Sequence, residues 1–199
     1  MTHNTTLNLI LQRHLDISTI YGRAVMAIMI VLGSILIAIS AHIQIPFWPV
    51  PVTMQSFTVL TLCMLYGWKL GGVTILLYLF EGAIGLPVFA SGAGLAYLAG
   101  PTAGYLLGFL IGGVIVGYLA QKGWDQSFIK TCLTNTLGTS IIFGFGYLWL
   151  GYFYMMAGHE FMAAFSMAFF SGVWPFMVGA IAKILLASLV IPKAKKFLR

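Results

Sequence analysis

Lys183 is a cationic side chain inside a long apolar run, which makes it the first candidate functional residue in this sequence. It lies eight residues after Pro175, and therefore about 12 Å into the run if that run is helical. A lysine at such a depth costs roughly 2.5–3.5 kcal/mol on insertion scales. About two helical turns separate it from Ile191, which is too far for the ammonium group to reach the other surface. We expect Lys183 to face a cavity or a partner, either as a ligand-binding group or in a structural ion pair.

Three other polar side chains lie in or beside apolar runs. Glu81 is the only acidic residue in such a run, so it either pairs with Lys183 or accepts hydrogen bonds from a polar ligand. Gln55 follows a proline-rich segment, and its buried amide must be satisfied by a ligand or by nearby loop backbone. Asn135 is either a ligand contact or an interhelical hydrogen-bonding group, which is the commoner use of such a residue.

Aromatic residues concentrate toward one end of the apolar runs. Aromatic belts at membrane interfaces explain most clusters of this kind. We therefore assign only three of these residues to a ligand pocket, namely Tyr78, Trp174 and Phe47.

The chain that positions these residues is too apolar for a soluble domain. Of its 199 residues, 60% are hydrophobic and 7% are charged, whereas roughly a quarter of a soluble domain is charged. Apolar runs near the length of about 20 residues that a transmembrane helix needs predict six spans, at about 24–43, 54–66, 70–84, 102–121, 131–156 and 175–191. The predicted fold class is an all-α integral membrane protein, with a cytoplasmic segment 1–23 and a single domain 24–199.

The basic residues indicate an orientation. With the amino terminus inside, nine of the ten Lys and Arg residues are cytoplasmic, and the tenth is Lys183. The positive-inside rule then predicts that both termini are cytoplasmic. The proline-rich residues 45–52 and the glycine-rich and proline-rich residues 85–101 fall on the outer side. The net charge of +6 is thereby explained by topology, and no nucleic-acid partner is expected.

Small residues recur on the first predicted span. Such spacing allows another helix to approach closely, and it is frequent in membrane helices generally. We interpret the small-residue seam as a docking face for another membrane protein; its members are Gly33, Ser34, Ala38 and Ala41.

The sequence does not predict an enzyme. It contains no His/Cys/Asp cluster with metal-ligand spacing and no Walker-type phosphate loop, so a partner would have to use any ATP. Its two aspartates, Asp16 and Asp125, fall in predicted cytoplasmic segments, which argues against an intramembrane protease. We expect no bound metal or cofactor.

Three motifs in the two outer segments resemble those of a known family. They are Pro49-Val50-Pro51-Val52-Thr53-Met54-Gln55, Gly85-Leu86-Pro87-Val88-Phe89 and Gly100-Pro101-Thr102-Ala103-Gly104-Tyr105. Over about residues 25–195, the chain resembles the BioY family, the biotin-specific substrate-binding components of energy-coupling-factor (ECF) transporters. The resemblance implies an ECF S-component-like bundle in the bacterial cytoplasmic membrane. It also implies an outward-facing biotin site that the first and third loops cover.

The resemblance implies roles for individual residues. In the family the glutamine of the first motif and a lysine of span six contribute to the pocket; here they are Gln55 and Lys183. That lysine usually follows Pro-Gly-Asp-x-x, whereas this chain has alanine at the acidic position, Ala180. Biotin combines an apolar bicycle, a ureido group and a carboxylate. We hypothesise that Glu81 accepts from the ureido N–H groups, while Lys183 and Gln55 donate to the ureido oxygen or the carboxylate.

A binding subunit without an ATP site cannot pump by itself. The resemblance implies an ECF transmembrane component and paired ATPases as partners, whose movement topples the loaded subunit toward the cytoplasm. The small-residue seam would be the docking face. The alternative is a stand-alone facilitator or secondary transporter for biotin or another small organic anion, with uptake that follows an ion gradient and ignores ATP depletion.

Overall fold

Helices make up nearly all of the regular structure in a computed structural model, which describes residues 20–197. Between the first two helices, two short strands, β1 (Gln44–Ile45) and β2 (Val52–Thr53), pair antiparallel. A π-helical turn, Ala120–Trp124, extends the fourth helix, and a 3-10 turn, Trp174–Phe176, precedes the last one. The helices are α1 (Ile20–His42), α2 (Gln55–Ala83), α3 (Leu95–Leu98), α4 (Ala103–Leu119), α5 (Phe128–Met156), α6 (Phe161–Gly172) and α7 (Met177–Phe197). The predicted segment 1–23 lies mostly outside the described residues.

Helix α2 reverses direction at Gly67 and consists of two antiparallel halves. Gly67 has φ 81° and ψ 172°, a conformation that residues with a Cβ rarely adopt. The reversal brings Gln55 within hydrogen-bond distance of Tyr78. It also brings Gly71 so close to Cys63 that a Cβ on the glycine would lie 2.8 Å from the Cys63 Sγ. The two halves correspond to the second and third predicted spans.

Several helical stretches are apolar enough to cross a membrane. By length and composition, four stretches within the described residues qualify, namely Ile20–His42, Gln55–Ala83, Ala103–Trp124 and Phe161–Lys196. The predicted plan has six spans because it counts the two halves of α2 separately and includes the 29-residue helix α5. The count of six crossings and the cytoplasmic location of the termini stay predictions.

Helices α2, α4 and α5 form the centre of the bundle. Helix α4 packs between α2 and α5, while α1 covers α2, and α6 and α7 cover α5. The α4–α5 contact is close because a Cβ at Gly108 would lie 2.8 Å from the Ile142 Cα. Large apolar side chains, such as Leu32 and Leu189, are exposed on the outer faces, as expected of helices that face lipid.

The small-residue seam of α1 is not a free surface. Gly33, Ser34 and Ala41 are buried, and Ala38 is half-buried. A Cβ at Gly33 would lie 2.7 Å from the Cγ2 of Thr74 on α2. The burial of Gly33, Ser34 and Ala41 does not support these three residues as a docking face, while docking at Ala38, which borders a groove beside α1, stays a prediction. Small residues permit close helix packing within one bundle as well as between proteins, and here they seat α1 against the bundle.

A buried ion pair joins α7 to the segment between α4 and α5. Lys195 Nζ donates to both carboxylate oxygens of Asp125, at 2.6 and 2.5 Å. The two side chains are only 3% and 1% exposed. The sequence placed both residues in solvated cytoplasmic segments, so it did not predict their burial or their pairing.

Candidate ligand-binding site

A cavity lies beneath two loops, which we call loop 1 (residues 43–54) and loop 3 (residues 84–102). Ligand pockets typically have mainly apolar walls with a few polar groups. Helices α2, α4, α5 and α7 form these walls, together with the 3-10 turn before α7. The polar residues that line the cavity are Thr53, Gln55, Ser56, Tyr78, Tyr97, Thr102, Tyr105 and Lys183.

Lys183 extends from α7 to the cavity wall. Among the described residues that line the cavity, it is the only charged one. Its Nζ donates to the backbone oxygen of Thr53 at 2.5 Å and to the Ser56 Oγ at 3.4 Å. An ammonium group has three N–H donors, so one remains for a ligand. The alternative ion pair with Glu81 is not formed, since the one ion pair of the described residues joins Lys195 to Asp125.

Gln55 and Tyr78 meet in the cavity wall, although 23 residues separate them in sequence. The Gln55 Nε2 donates to the Tyr78 Oη at 2.6 Å, and the Tyr78 hydroxyl donates to the Val88 carbonyl of loop 3 at 3.2 Å. The Thr53 hydroxyl donates to the Gln55 Oε1 at 3.3 Å. Both predicted residues are buried. Their hydrogen bonds tie loops 1 and 3 to the two halves of α2.

Aromatic rings form one side of the cavity. Phe89 of loop 3 meets Tyr78 edge-on, with ring centroids 5.5 Å apart, and stacks on Tyr97 at 4.9 Å. Tyr105 of α4 stacks near Phe176, with centroids 6.3 Å apart. Such rings suit a flat apolar ligand. Of these five rings, only Tyr78 was predicted to line the pocket, although Phe89 and Tyr105 end two of the three loop motifs.

Two predicted aromatic residues lie outside this cavity. Trp174 is 63% exposed in the 3-10 turn, while Phe176, two residues later, lines the cavity. Phe47 is 43% exposed and lines a separate groove between loops 1 and 3 together with Trp48 and Tyr97. The 3-10 turn does contribute an aromatic ring to the cavity, as predicted, but the ring is that of Phe176 and not that of Trp174.

Glu81 also lies away from the cavity. Its carboxylate accepts a hydrogen bond from the Ser34 hydroxyl of α1. It borders an apolar groove between α1 and loop 3 that includes Ile39 and Leu86. The position of Glu81 therefore does not support the hypothesis that it replaces the acid missing at Ala180.

Asn135 reaches the site from behind. It lines a smaller chamber, which shares Ser56, Ala180 and Lys183 with the main cavity. Ala180 is buried at the boundary between the two spaces. Ala180 and Lys183 thus line both spaces, and Ala180 contributes only a methyl group there.

Both loops are fastened over the cavity. The β1–β2 pair closes loop 1 on itself, and the Gln44 Nε2 donates to the Ala90 carbonyl of loop 3 at 2.9 Å. From α5, the Trp149 Nε1 donates to the Gly100 carbonyl at 2.8 Å. A ligand in the cavity would therefore be shielded by ordered loops.

Comparison with known proteins agrees with this geometry. The family model described as BioY family matches residues 12–199. The biotin transporter BioY of Thermotoga maritima is 36% identical over 162 residues, which cover 81% of this chain and 90% of that protein. The biotin transporter BioY2 of Lactococcus lactis is 34% identical over 165 residues, which cover 81% of this chain and 85% of that protein.

A solved structure shares the fold. A crystal structure described as the S-component for biotin from an ECF-type ABC transporter superimposes with a TM-score of 0.73, at 22% sequence identity. The superposition covers 89% of this chain and 94% of that one. The bundle is therefore an S-component fold. Because the family match includes the three loop motifs and the helices that carry Gln55 and Lys183, the chain belongs to the BioY family.

Proposed function

We propose that this chain binds biotin and serves as the substrate-specificity subunit of an ECF-type transporter in the cytoplasmic membrane. The observation that carries the proposal is the loop-covered cavity, which combines aromatic walls with a single cation, Lys183, among its described lining residues. This chain matches relatives named as biotin transporters over most of their length, and this similarity supports the choice of ligand.

The chemistry of biotin suits this cavity. Its apolar bicycle would pack against rings such as Phe89 and Tyr105. Its ureido group and carboxylate need hydrogen-bond partners once they leave water, and Lys183 has a donor free for them. The amide of Gln55 is engaged with Tyr78, so we assign Gln55 to positioning Tyr78 and loop 3.

Energised uptake requires partners. Since the sequence has no nucleotide-binding motif, we propose that an ECF transmembrane component and paired ATPases supply the driving force. Three of the four seam residues of α1 are buried, which does not support them as the docking surface of these partners. We place the binding site on the outward side because the basic residues lie at the other end of the predicted topology.

Calorimetric titration of the purified protein in detergent tests the binding proposal. Biotin should bind saturably with one-to-one stoichiometry, whereas riboflavin and thiamine should produce no binding heat. If biotin gave no heat while another vitamin bound, the proposed ligand would be wrong.

Uptake of labelled biotin by a biotin-requiring host tests the transport proposal. Uptake should require co-expression of an ECF module and should stop when ATP is depleted. Uptake without the module that collapses with an ionophore would instead support the facilitator or secondary transporter.

A further inference from the structure

The groove between α1 and loop 3, which we call the lateral groove, is apolar except at two residues. Its walls include the exposed side chains of Ile35, Ile39 and Leu86. Of the described residues that line it, only His42 and Glu81 have polar side chains. The lateral groove shares no lining residue with the cavity, so it is a separate site with its own chemistry.

The carboxylate of Glu81 is only partly satisfied within the protein. It accepts a hydrogen bond from the Ser34 hydroxyl of α1, whereas the two oxygens of an ionised carboxylate have about four lone-pair positions. Glu81 forms no ion pair among the described residues, whose one ion pair joins Lys195 to Asp125. A charged group at the apolar surface of a membrane protein is costly unless it is paired. The lateral groove therefore has a place for a cation that carries N–H donors.

The imidazole of His42 offers a second acceptor in the same groove. Its Nδ1 lies 2.9 Å from the Ala38 carbonyl. A carbonyl only accepts, so this nitrogen carries the proton, and the Nε2 of the neutral ring is then an acceptor. Both polar side chains of the lateral groove thus offer acceptors, which favours a cationic donor and disfavours an anion.

The position of the lateral groove favours a lipid as the source of this donor. Glu81 lies in the last turn of α2, and His42 is the last residue of α1, so both lie toward the outer ends of their helices in the predicted topology. The apolar surface of α1 continues beyond the groove through exposed residues such as Leu32 and Leu36. A phospholipid could therefore enter sideways from the bilayer, with its head group toward Glu81.

We propose that the lateral groove binds a phospholipid whose head group carries a primary ammonium, such as phosphatidylethanolamine. The ammonium donates to the Glu81 carboxylate, and an acyl chain packs along Ile35 and Ile39. The cation of phosphatidylcholine has no N–H donor, and the head group of phosphatidylglycerol has no cation, so neither lipid can make this contact. This site goes beyond the proposed function, and its test does not depend on biotin.

Native mass spectrometry of the delipidated protein in detergent measures the binding of each lipid. The wild type should bind one phosphatidylethanolamine roughly 3- to 10-fold more tightly than phosphatidylcholine, phosphatidylglycerol or N-acetylated phosphatidylethanolamine, as expected for one hydrogen bond. Glu81→Gln should reduce this preference to within about twofold, because the carboxylate charge is lost. The matched control is Glu160→Gln, which should keep the preference, because Glu160 is exposed and does not line the groove.

A second pair of variants tests whether the lipid lies in the lateral groove. Ile39→Lys places an ammonium group of the chain itself in the groove, and should lower phosphatidylethanolamine binding to the level of the other lipids. The control is Ile28→Lys, because Ile28 is exposed on the same helix but does not line the groove. Thermal unfolding in detergent shows whether each variant folds, and Ile39→Lys carries the test if Glu81→Gln does not fold.

Three results would overturn the lipid site. The first is a wild-type protein that binds all four lipids alike. The second is a preference for phosphatidylethanolamine that survives in folded Glu81→Gln or Ile39→Lys protein. The third is a Glu81→Gln protein that keeps its lipid binding but no longer co-purifies with an ECF module, since the groove would then hold a protein partner. None of these results involves biotin affinity, so titration with biotin still decides the proposed function separately.

Discussion

Replacement of Lys183 by methionine is the sharpest test of the proposed site. Methionine keeps an unbranched apolar stem but removes the ammonium group, which donates to Thr53 and Ser56 and has one N–H left for a ligand. A hydrogen bond that involves a charged group contributes about 1.5–3 kcal/mol. At about 1.4 kcal/mol for each factor of ten, Lys183→Met should weaken biotin binding roughly 10- to 150-fold.

Calorimetric titration in detergent measures this loss, and Lys69→Met is the matched control. Lys69 lies just after the reversal in α2, with its Nζ 5.4 Å from the centroid of the Trp68 ring, and it does not line the cavity. The control should bind biotin with the wild-type affinity. A Lys183→Met protein that folds and binds within twofold of the wild type would refute the reasoning, because the cavity would then hold its ligand without its cation.

Three other predictions concern residues outside the cavity. Asp125→Asn should destabilise the protein by about 3–5 kcal/mol because it leaves the buried Lys195 ammonium unpaired; adding Lys195→Met should recover much of the thermal midpoint, and an unchanged midpoint in the single variant would contradict the burial. Gly33→Leu should lower the thermal midpoint, since even a Cβ there would lie 2.7 Å from the Thr74 Cγ2 and overpacking typically costs about 1–3 kcal/mol. Glu81→Gln should leave biotin affinity within about twofold, because Glu81 does not line the cavity; a larger loss in titration would return Glu81 to the site.

Much of the fold follows from local sequence signals. The apolar runs indicate the helices, and Gly67 is found where the reversal of α2 requires a positive φ. Pro175 lies in a 3-10 turn directly before α7. The resemblance to the family predicted that Gln55 and Lys183 share one pocket, and both residues line the same cavity in the structure.

The contacts of individual side chains could not be predicted, because they depend on how each helix is rotated toward its neighbours. Three residues along a helix rotate a side chain by about 300°, so Tyr78 reaches the cavity while Glu81 reaches α1. The same limit applies to the small residues of α1, whose spacing cannot tell an internal neighbour from another protein. The burial of Asp125 arises only when the end of α7 covers the segment before α5. The rotation of each helix relative to its neighbours is determined only in the assembled bundle.

The position of Lys183 connects ligand binding to the loops. Its bond to the Thr53 carbonyl fastens β2 of loop 1 to α7. A ligand that used the third N–H would leave this bond intact, so the loop would already be in place when the ligand arrived. Binding to such a preorganised site loses less affinity to loop ordering. A route for the ligand must then pass between the loops, where Pro51, Tyr97 and Thr102 line both the outer groove and the cavity. These three residues, rather than Lys183, would govern how fast biotin exchanges.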